Sequence, residues 1–446
     1  MLRRVVVAVL GSLTLLVTPA PARCDAGDLL WEDRIDLAGG NFIQTAIAAA
    51  HNRVVAVGST NGDGTGNGAI AVRAYAAQTG ALLWEDRLTT GSATVVMNGL
   101  WVIVTGVTVD AAGLRHGVVR AYVARTGELI WQDTWPDGAE PHALDMDAPG
   151  LAAVVSGIAG GASTGAGRLF VRAYAARNGA LLWEDQPVPS GYSSVFTSTS
   201  RSVAVRGTKA FVGAKVRPSA CLIRAYDIVL GTVLWETVRP RFLSCTPAAV
   251  ATNGKQVLIS GSAGEFDVFF VQSYDAETGQ FLWEQRADVG NPAFTNAAIA
   301  VDTEGKNVFV AGWYLLPHLR GLKEAFVVRS YDAETGALRW VDEFAHPEVP
   351  PFFYLLHAYD LAVTRGRVIA VGQNISGTGA PWLTRAYDAE TGALLWSSAA
   401  EVAPLAAPYG ALQAVAVDHE RIFVAGSGRN NTQGHADFII RALDAQ

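Results

Sequence analysis

The chain is short of charge. Only 17% of its 446 residues are Asp, Glu, Lys or Arg, and the formal balance is −7. No basic excess is available to neutralise phosphates, which argues against a nucleic-acid footprint. Methionine is scarce, with 3 residues against 46 glycines, so many turns and few helices are expected. Half of the residues are apolar. That supplies a large buried core and excludes a disordered chain. After the first residues no run is long and apolar enough to cross a bilayer, and none keeps a helical period. The three cysteines, Cys24, Cys221 and Cys245, are not adjacent to one another, and no C-x-x-C-H is present for an attached haem. P-loop, zinc-ligand and Ser-His-Asp patterns are also missing.

The opening residues form a leader pattern. "MLRRVVVAVLGSLTLLVTPAPA" has a basic start, an apolar stretch from Val5 to Val17, and Ala20 and Ala22 in the small-x-small arrangement of a cleavage site. A signal peptide is expected over 1–22, followed by one domain over 23–446. The apolar stretch is too short for an uncleaved anchor. Arg23 stands before Cys24 where a lipobox needs a small residue, so lipid anchoring is not expected and Cys24 has no assigned role. The expectation is an exported protein, periplasmic or extracellular, with no integral membrane span once the signal is removed. In such a compartment Cys221 and Cys245 are disulfide candidates; two unpaired buried thiols are the alternative.

Tryptophan sets the internal organisation. Trp31, Trp84, Trp131, Trp183, Trp235, Trp283, Trp340 and Trp396 each close a similar string, clearest in "SYDAETGQFLW" (273–283), "SYDAETGALRW" (330–340) and "AYDAETGALLW" (386–396). Looser copies end at the other tryptophans. The spacing of 47 to 57 residues suits four strands of five to eight residues plus turns. Within one period "AAIAVD" (297–302), "NVFVAG" (307–312), "AFVVRSYDA" (325–333) and "ALRWVDEF" (337–344) read as strands, and 312–325 as a variable loop. The terminal "ALDAQ" (442–446) is the first part of the motif and "AGDLLW" (26–31) is the remainder. Joined, they complete an eighth unit. The prediction is an all-β, eight-bladed β-propeller of four-stranded antiparallel blades, its ring closed by pairing N- and C-terminal segments. An open solenoid would need capping repeats.

The repeated A-x-D-x-x-T-G-x-x-x-W resembles the tryptophan-docking motif of quinoprotein propellers, typified by PQQ-dependent alcohol dehydrogenases. The aspartate is replaced in three copies by Ala76, Val123 and Ala175. The resemblance covers nearly the whole mature chain and implies that each tryptophan docks on the next blade. The signatures of WD40 and Kelch repeats do not recur. Enzymes of the family carry a vicinal disulfide, a quinone and a cation, usually calcium. This chain lacks adjacent cysteines and the long insertions that build the enzyme pocket. A non-catalytic member is therefore expected, with no cofactor: an exported binding or scaffold module for protein partners, and a monomer. By size and blade number it is similar to the lipoprotein propeller of the outer-membrane assembly machinery. The alternative is a PQQ- and calcium-dependent alcohol or sugar dehydrogenase.

Two sets of side chains are candidates for binding. The loops joining the second and third strands of each blade share one face with those leading to the next blade, and these are the long ones. There Tyr314, Leu315, Leu316, Phe352, Phe353 and Tyr354 form a candidate apolar partner patch; mutual packing of neighbouring loops is the alternative. "His142-Ala-Leu-Asp145" and "His357-Ala-Tyr-Asp360" are expected at comparable positions of two inner strands, four blades apart, as a channel-mouth polar site. Solvated channel lining is the other reading. Asn61, Asp63, Thr65 and Asn67 resemble a calcium loop only superficially, since Val72 stands where an EF-hand needs a carboxylate.

Overall fold

Strand position within each blade follows the burial pattern of the sequence. Second and third strands, such as Val268–Asp275, are apolar on both faces because each is sandwiched between neighbouring blades. Fourth strands alternate, as in Phe281–Ala287, where Phe281 is exposed and Trp283 is buried. The structure, a computed structural model, describes residues 25–36, 43–60, 70–88, 90–110, 114–135, 140–147, 149–159, 168–187, 194–196, 201–217, 220–239, 245–263, 268–287, 297–318, 321–345, 354–376, 382–400, 412–429 and 436–445. The expected signal peptide 1–22, Cys24, Phe352, Phe353 and the Asn61–Asn67 loop lie outside these residues, and of Tyr354 only the backbone is described.

Eight antiparallel sheets are present, and no described residue is helical. The inner strands touch one another in cyclic order, so the sheets form a closed ring around a central channel. Blade 1 starts at Ile43–Ala50 and blade 7 at Tyr354–Thr364. Blade 8 comprises Leu412–Asp418, Arg421–Arg429, Ala436–Asp444 and, as its outer strand, Leu29–Asp36. Register at this closure runs from Leu29 opposite Leu443 to Asp36 opposite Asp437. The clasp expected from the split motif is therefore formed.

Seven of the eight motif tryptophans donate an indole hydrogen bond to the next blade. Trp31 Nε1 reaches Ala77 O at 3.1 Å, Trp131 reaches Ala176 O at 2.8 Å, and Trp340 reaches Ala389 O at 3.0 Å; Trp84, Trp183, Trp235 and Trp283 do the same. Each ring lies on the turn glycine of that neighbour. A Cβ at Gly80 would sit 2.7 Å from Trp31, and φ there is +70°, so glycine is required twice over. Trp396 covers Gly27 similarly, but its indole N–H has no partner among the described residues; Arg367 takes the Ala445 carbonyl instead.

A second inter-blade device accompanies the tryptophans. Two residues after the tryptophan, Asp33, Asp86, Asp133, Asp185 and Asp342 each accept from a tyrosine and an arginine of the following blade. Asp86, for example, holds Tyr122 Oη at 2.6 Å and Arg120 at 2.9 Å; the others hold Tyr75, Tyr174, Tyr226 and Tyr387. Three seams lack the aspartate, with Thr237, Gln285 and Ser398 in its place. Each is fastened differently. Between blades 4 and 5, Cys221 and Cys245 form a disulfide with Cα atoms 5.4 Å apart. Between blades 5 and 6, Tyr314 packs edge-on against Phe269 and bonds Glu343. Between blades 7 and 8, Trp382 donates to Ser427 O at 3.1 Å.

Candidate functional site

A channel cavity of about 640 Å³ is lined by the inner segments of all eight blades. β-Bulges aim several of its side chains. In blades 3, 5, 6, 7 and 8 the inner strand carries one extra residue, respectively His142, Ala248, Ile299, Tyr359 and Gln413, and all five line the cavity. Opposite the bulge the second strand carries glycine. A Cβ at Gly261, Gly312 or Gly372 would collide with the carbonyl oxygen of Thr246, Ala297 or His357. A glycine late in the second strand, preceded two positions earlier by Val or Ile in blades 3, 5, 6 and 8, is the sequence signal for this feature.

The bulges correct the expected match of the two His-x-x-Asp strings. His142 is a bulge residue, whereas His357 pairs with Gln373 two positions earlier in the register; the counterpart of His142 is Tyr359. His357 is turned away from the channel-mouth pair expected for it. Its ring stacks on Trp313 at 4.0 Å, with Nε2 3.2 Å from Glu324 Oε2 and Nδ1 3.2 Å from Tyr359 Oη. Asp145 matches Asp302, not Asp360. His142, Asp145 and Asp360 do line the cavity. Among the described residues, no group of three His, Cys, Asp or Glu is placed to hold a metal ion.

All three aspartates fasten blades. Asp145 Oδ2 accepts Val205 N of blade 4 at 2.7 Å, Asp302 Oδ2 accepts Val363 N of blade 7 at 3.2 Å, and Asp360 Oδ2 accepts Val415 N of blade 8 at 2.8 Å. The other oxygen of Asp360 takes an ion pair from Arg201. Arg201 belongs to blade 4, where the innermost position is split between Ser194–Phe196 and Val203–Arg206. Its own carbonyl bonds Val250 N at 2.8 Å. Because blades 4 and 7 are three apart, the Arg201–Asp360 pair spans the channel. Sequence reasoning missed Arg201, since only the interruption of a strand brings it inward.

Burial pushes the carboxyls of Asp145 and Asp302 up to about 6. A raised carboxyl favours the folded state below about pH 4, and that contribution is lost as pH rises through about 6. Asn keeps an acceptor oxygen but no charge. The paired substitutions Asp145→Asn and Asp302→Asn are therefore expected to flatten the pH dependence of stability between about pH 4 and 6, by about 2 kcal/mol per site. An unchanged slope in thermal melts across that range would contradict the assignment.

The candidate apolar patch is largely taken up by the fold. The segment 312–325, expected as a loop, continues as a hairpin: Asn307–His318 pairs with Gly321–Asp332, with Leu315 opposite Glu324. Tyr314 is fully buried in the seam described above and Leu315 is nearly so; Leu316 packs on the same cluster. Tyr314 is thus a seam residue, and Leu315 is buried rather than free for a partner. An aromatic at 314 substitutes for the missing aspartate clamp, which the repeat alone did not reveal.

The family model described as outer membrane protein assembly factor BamB matches residues 14–169, 115–316 and 323–445. No curated protein sequence matches the chain. Among solved structures, quinohemoprotein alcohol dehydrogenase ADHIIG of Pseudomonas putida HK5 is 14% identical, covering 94% of this chain and 76% of that one at a TM-score of 0.52. Sqt1 of Chaetomium thermophilum, solved bound to the N-terminus of ribosomal protein L10, is 12% identical over 92% and 98%, with a TM-score of 0.55. BamB of Moraxella catarrhalis is 15% identical over 79% and 99%, with a TM-score of 0.44. Eight blades of PQQ-like repeats, docked by their tryptophans and matched along nearly the whole length, place the chain in the family of the outer membrane protein assembly factor BamB.

Proposed function

We propose that the protein is a protein-binding propeller module of the cell envelope, exported by its leader, with no catalytic role. The observation that carries this reading is the Arg201–Asp360 pair across the channel. A quinone with a bound cation needs an open, flat pocket with free carboxylates and an aromatic floor. Here the cavity is crossed by a guanidinium, and each lining aspartate already accepts a backbone N–H of the neighbouring blade. Tyr359 is the one lining Phe, Tyr or Trp among the described residues. The channel residues do not fit PQQ and calcium. Membership of a family named for outer-membrane assembly supports an envelope location and agrees with the leader pattern. Sqt1 offers a precedent, on the same fold, for capture of a protein segment. The hairpin-rich face is the favoured recognition surface, because its connections are the long ones and the hairpin of blade 6 extends there.

Incubating the purified protein with PQQ and calcium tests the reading. No stoichiometric quinone absorbance and no alcohol-dependent dye reduction are expected. Their appearance would establish the runner-up, a quinoprotein dehydrogenase.

A further inference from the structure

The opposite face, made of tight turns, carries an asymmetry that the repeat makes easy to measure. In every blade the first turn accepts one backbone hydrogen bond from the turn between the third and fourth strands. The accepting residues are Asn52, Leu100, Leu151, Thr208, Lys255, Lys306, Gly366 and Glu420 in blades 1 to 8. Only blades 2 and 3 place a large apolar side chain there. Leu100 is 63% exposed and Leu151 64%. In the turn between strands three and four the repeat places Thr or Asn before the glycine, but blade 4 places Leu230, which is 71% exposed. These are the three most exposed large apolar side chains among the described residues, and they lie on consecutive blades of one face.

One position before that Thr or Asn stand Arg125 in blade 2 and Arg177 in blade 3, whereas blades 5, 6 and 7 carry Glu277, Glu334 and Glu390 there. Arg125, Arg177 and Arg206 are exposed and make no ion pair among the described residues. The turns of blades 2 and 3 adjoin: a Cβ at Gly150 would lie 2.9 Å from the half-buried ring of Trp101, next to Leu100. The sector over blades 2–4 thus joins exposed leucines to three arginines without ion pairs, whereas the turns over blades 5–7 mix charges, with Lys255 and Lys306 exposed and Glu277 and Glu390 paired to Lys209 and Arg339.

We propose that the turn face over blades 2–4 docks on an anionic lipid surface. Leu100, Leu151 and Leu230 would enter the headgroup boundary from separate turn tips, with Trp101 at the interface and Arg125, Arg177 and Arg206 over the phosphates. Isolated tips one blade apart suit insertion into lipid. A protein hot spot would instead need contiguous, packed apolar surface. Blades 5–7 carry Lys255, Lys306 and Gly366 where blades 2 and 3 carry leucine, so the ring meets the surface tilted, and the hairpin-rich face stays free for a partner.

The test uses the full chain in sedimentation with vesicles of phosphatidylcholine, with and without phosphatidylglycerol. Binding is expected only with phosphatidylglycerol, and it should weaken as salt rises. Two variant sets install residues found at the same turn positions in sister blades, and so keep the fold: Leu100→Asn with Leu151→Thr and Leu230→Thr, and Arg125→Glu with Arg177→Glu. Each is expected to weaken binding at least about tenfold. Hydrogen exchange on the unmodified chain should show vesicle protection at the turns of blades 2–4. Equal binding to both vesicle types, variants that bind as the parent does, or protection on the hairpin-rich face, as a docked acidic protein or the leader would leave it, each overturns the proposal.

Discussion

Deleting residues 442–446 is expected to lower the melting temperature by at least about 5 °C, and Trp31→Ala by about 3 °C. The deletion removes Ala442 and Leu443, both buried, from the third strand of blade 8, which lies between its second strand and the N-terminal outer strand. With it go the hydrogen bonds of Asp444 to Gly27 and Asp28, both 2.9 Å, and the carbonyl held by Arg367. Trp31 sits at the same seam from the other side, touching Tyr75 of blade 1 and Phe423 of blade 8. Losing that ring costs about 3 kcal/mol, since its bulk fills the space over Gly80 and its N–H is bonded. An exposed apolar residue of another outer strand provides the comparison. Leu394→Ala should shift the midpoint by less than about 1 °C. Calorimetry of the three proteins decides the matter; equal midpoints for the deletion and Leu394→Ala would mean that the ring does not depend on this closure.

Replacing Cys221 and Cys245 by serine is expected to cost about 3 kcal/mol and to act at one place, the seam between blades 4 and 5. That seam has Thr237 where five others have the clamping aspartate, and Gln272 where most blades have arginine. Gln272 turns within its own blade to Glu284 and Tyr274. The disulfide joins the start of the third strand of blade 4 to the start of the inner strand of blade 5, so the covalent link stands where the polar clamp is missing. Hydrogen exchange should therefore rise first in Ala220–Asp227 and Cys245–Thr252 when the bond is removed. A rescue follows from the geometry. Tyr274 is already in place, so Thr237→Asp with Gln272→Arg should restore about 1 kcal/mol to the serine variant. Uniform loosening of all eight blades, or no gain from the rescue pair, would refute a seam-specific role.

Several features were open to sequence reasoning because they repeat. A tryptophan, a turn glycine and alternating apolar residues recurring eight times report a physical need that every blade shares. The aspartate–arginine–tyrosine clamp is equally visible in the recurring "RAY" and "WED" strings. The channel was harder. Aligning the two His-x-x-Asp strings by identity placed His142 and His357 together, but inner-strand register is set by a bulge, and a bulge shifts every later side chain. The glycine ending each second strand was the missing alignment mark. The segment 312–325 misled for a related reason: Trp313, Pro317 and glycine interrupt an alternation that the backbone nevertheless continues.

By itself the sequence determined the blade number, the order of strands and the closure of the ring. These depend on local periodicity and on a motif cut in two, which need no knowledge of what lies across the molecule. The folded ring alone brings Arg201 to Asp360 three blades away, makes Tyr314 a seam residue, and sets the exposed leucines in one sector with unpaired arginines. Such relations join positions far apart in sequence through a ring whose curvature and register are collective properties of all eight blades. No single repeat contains them.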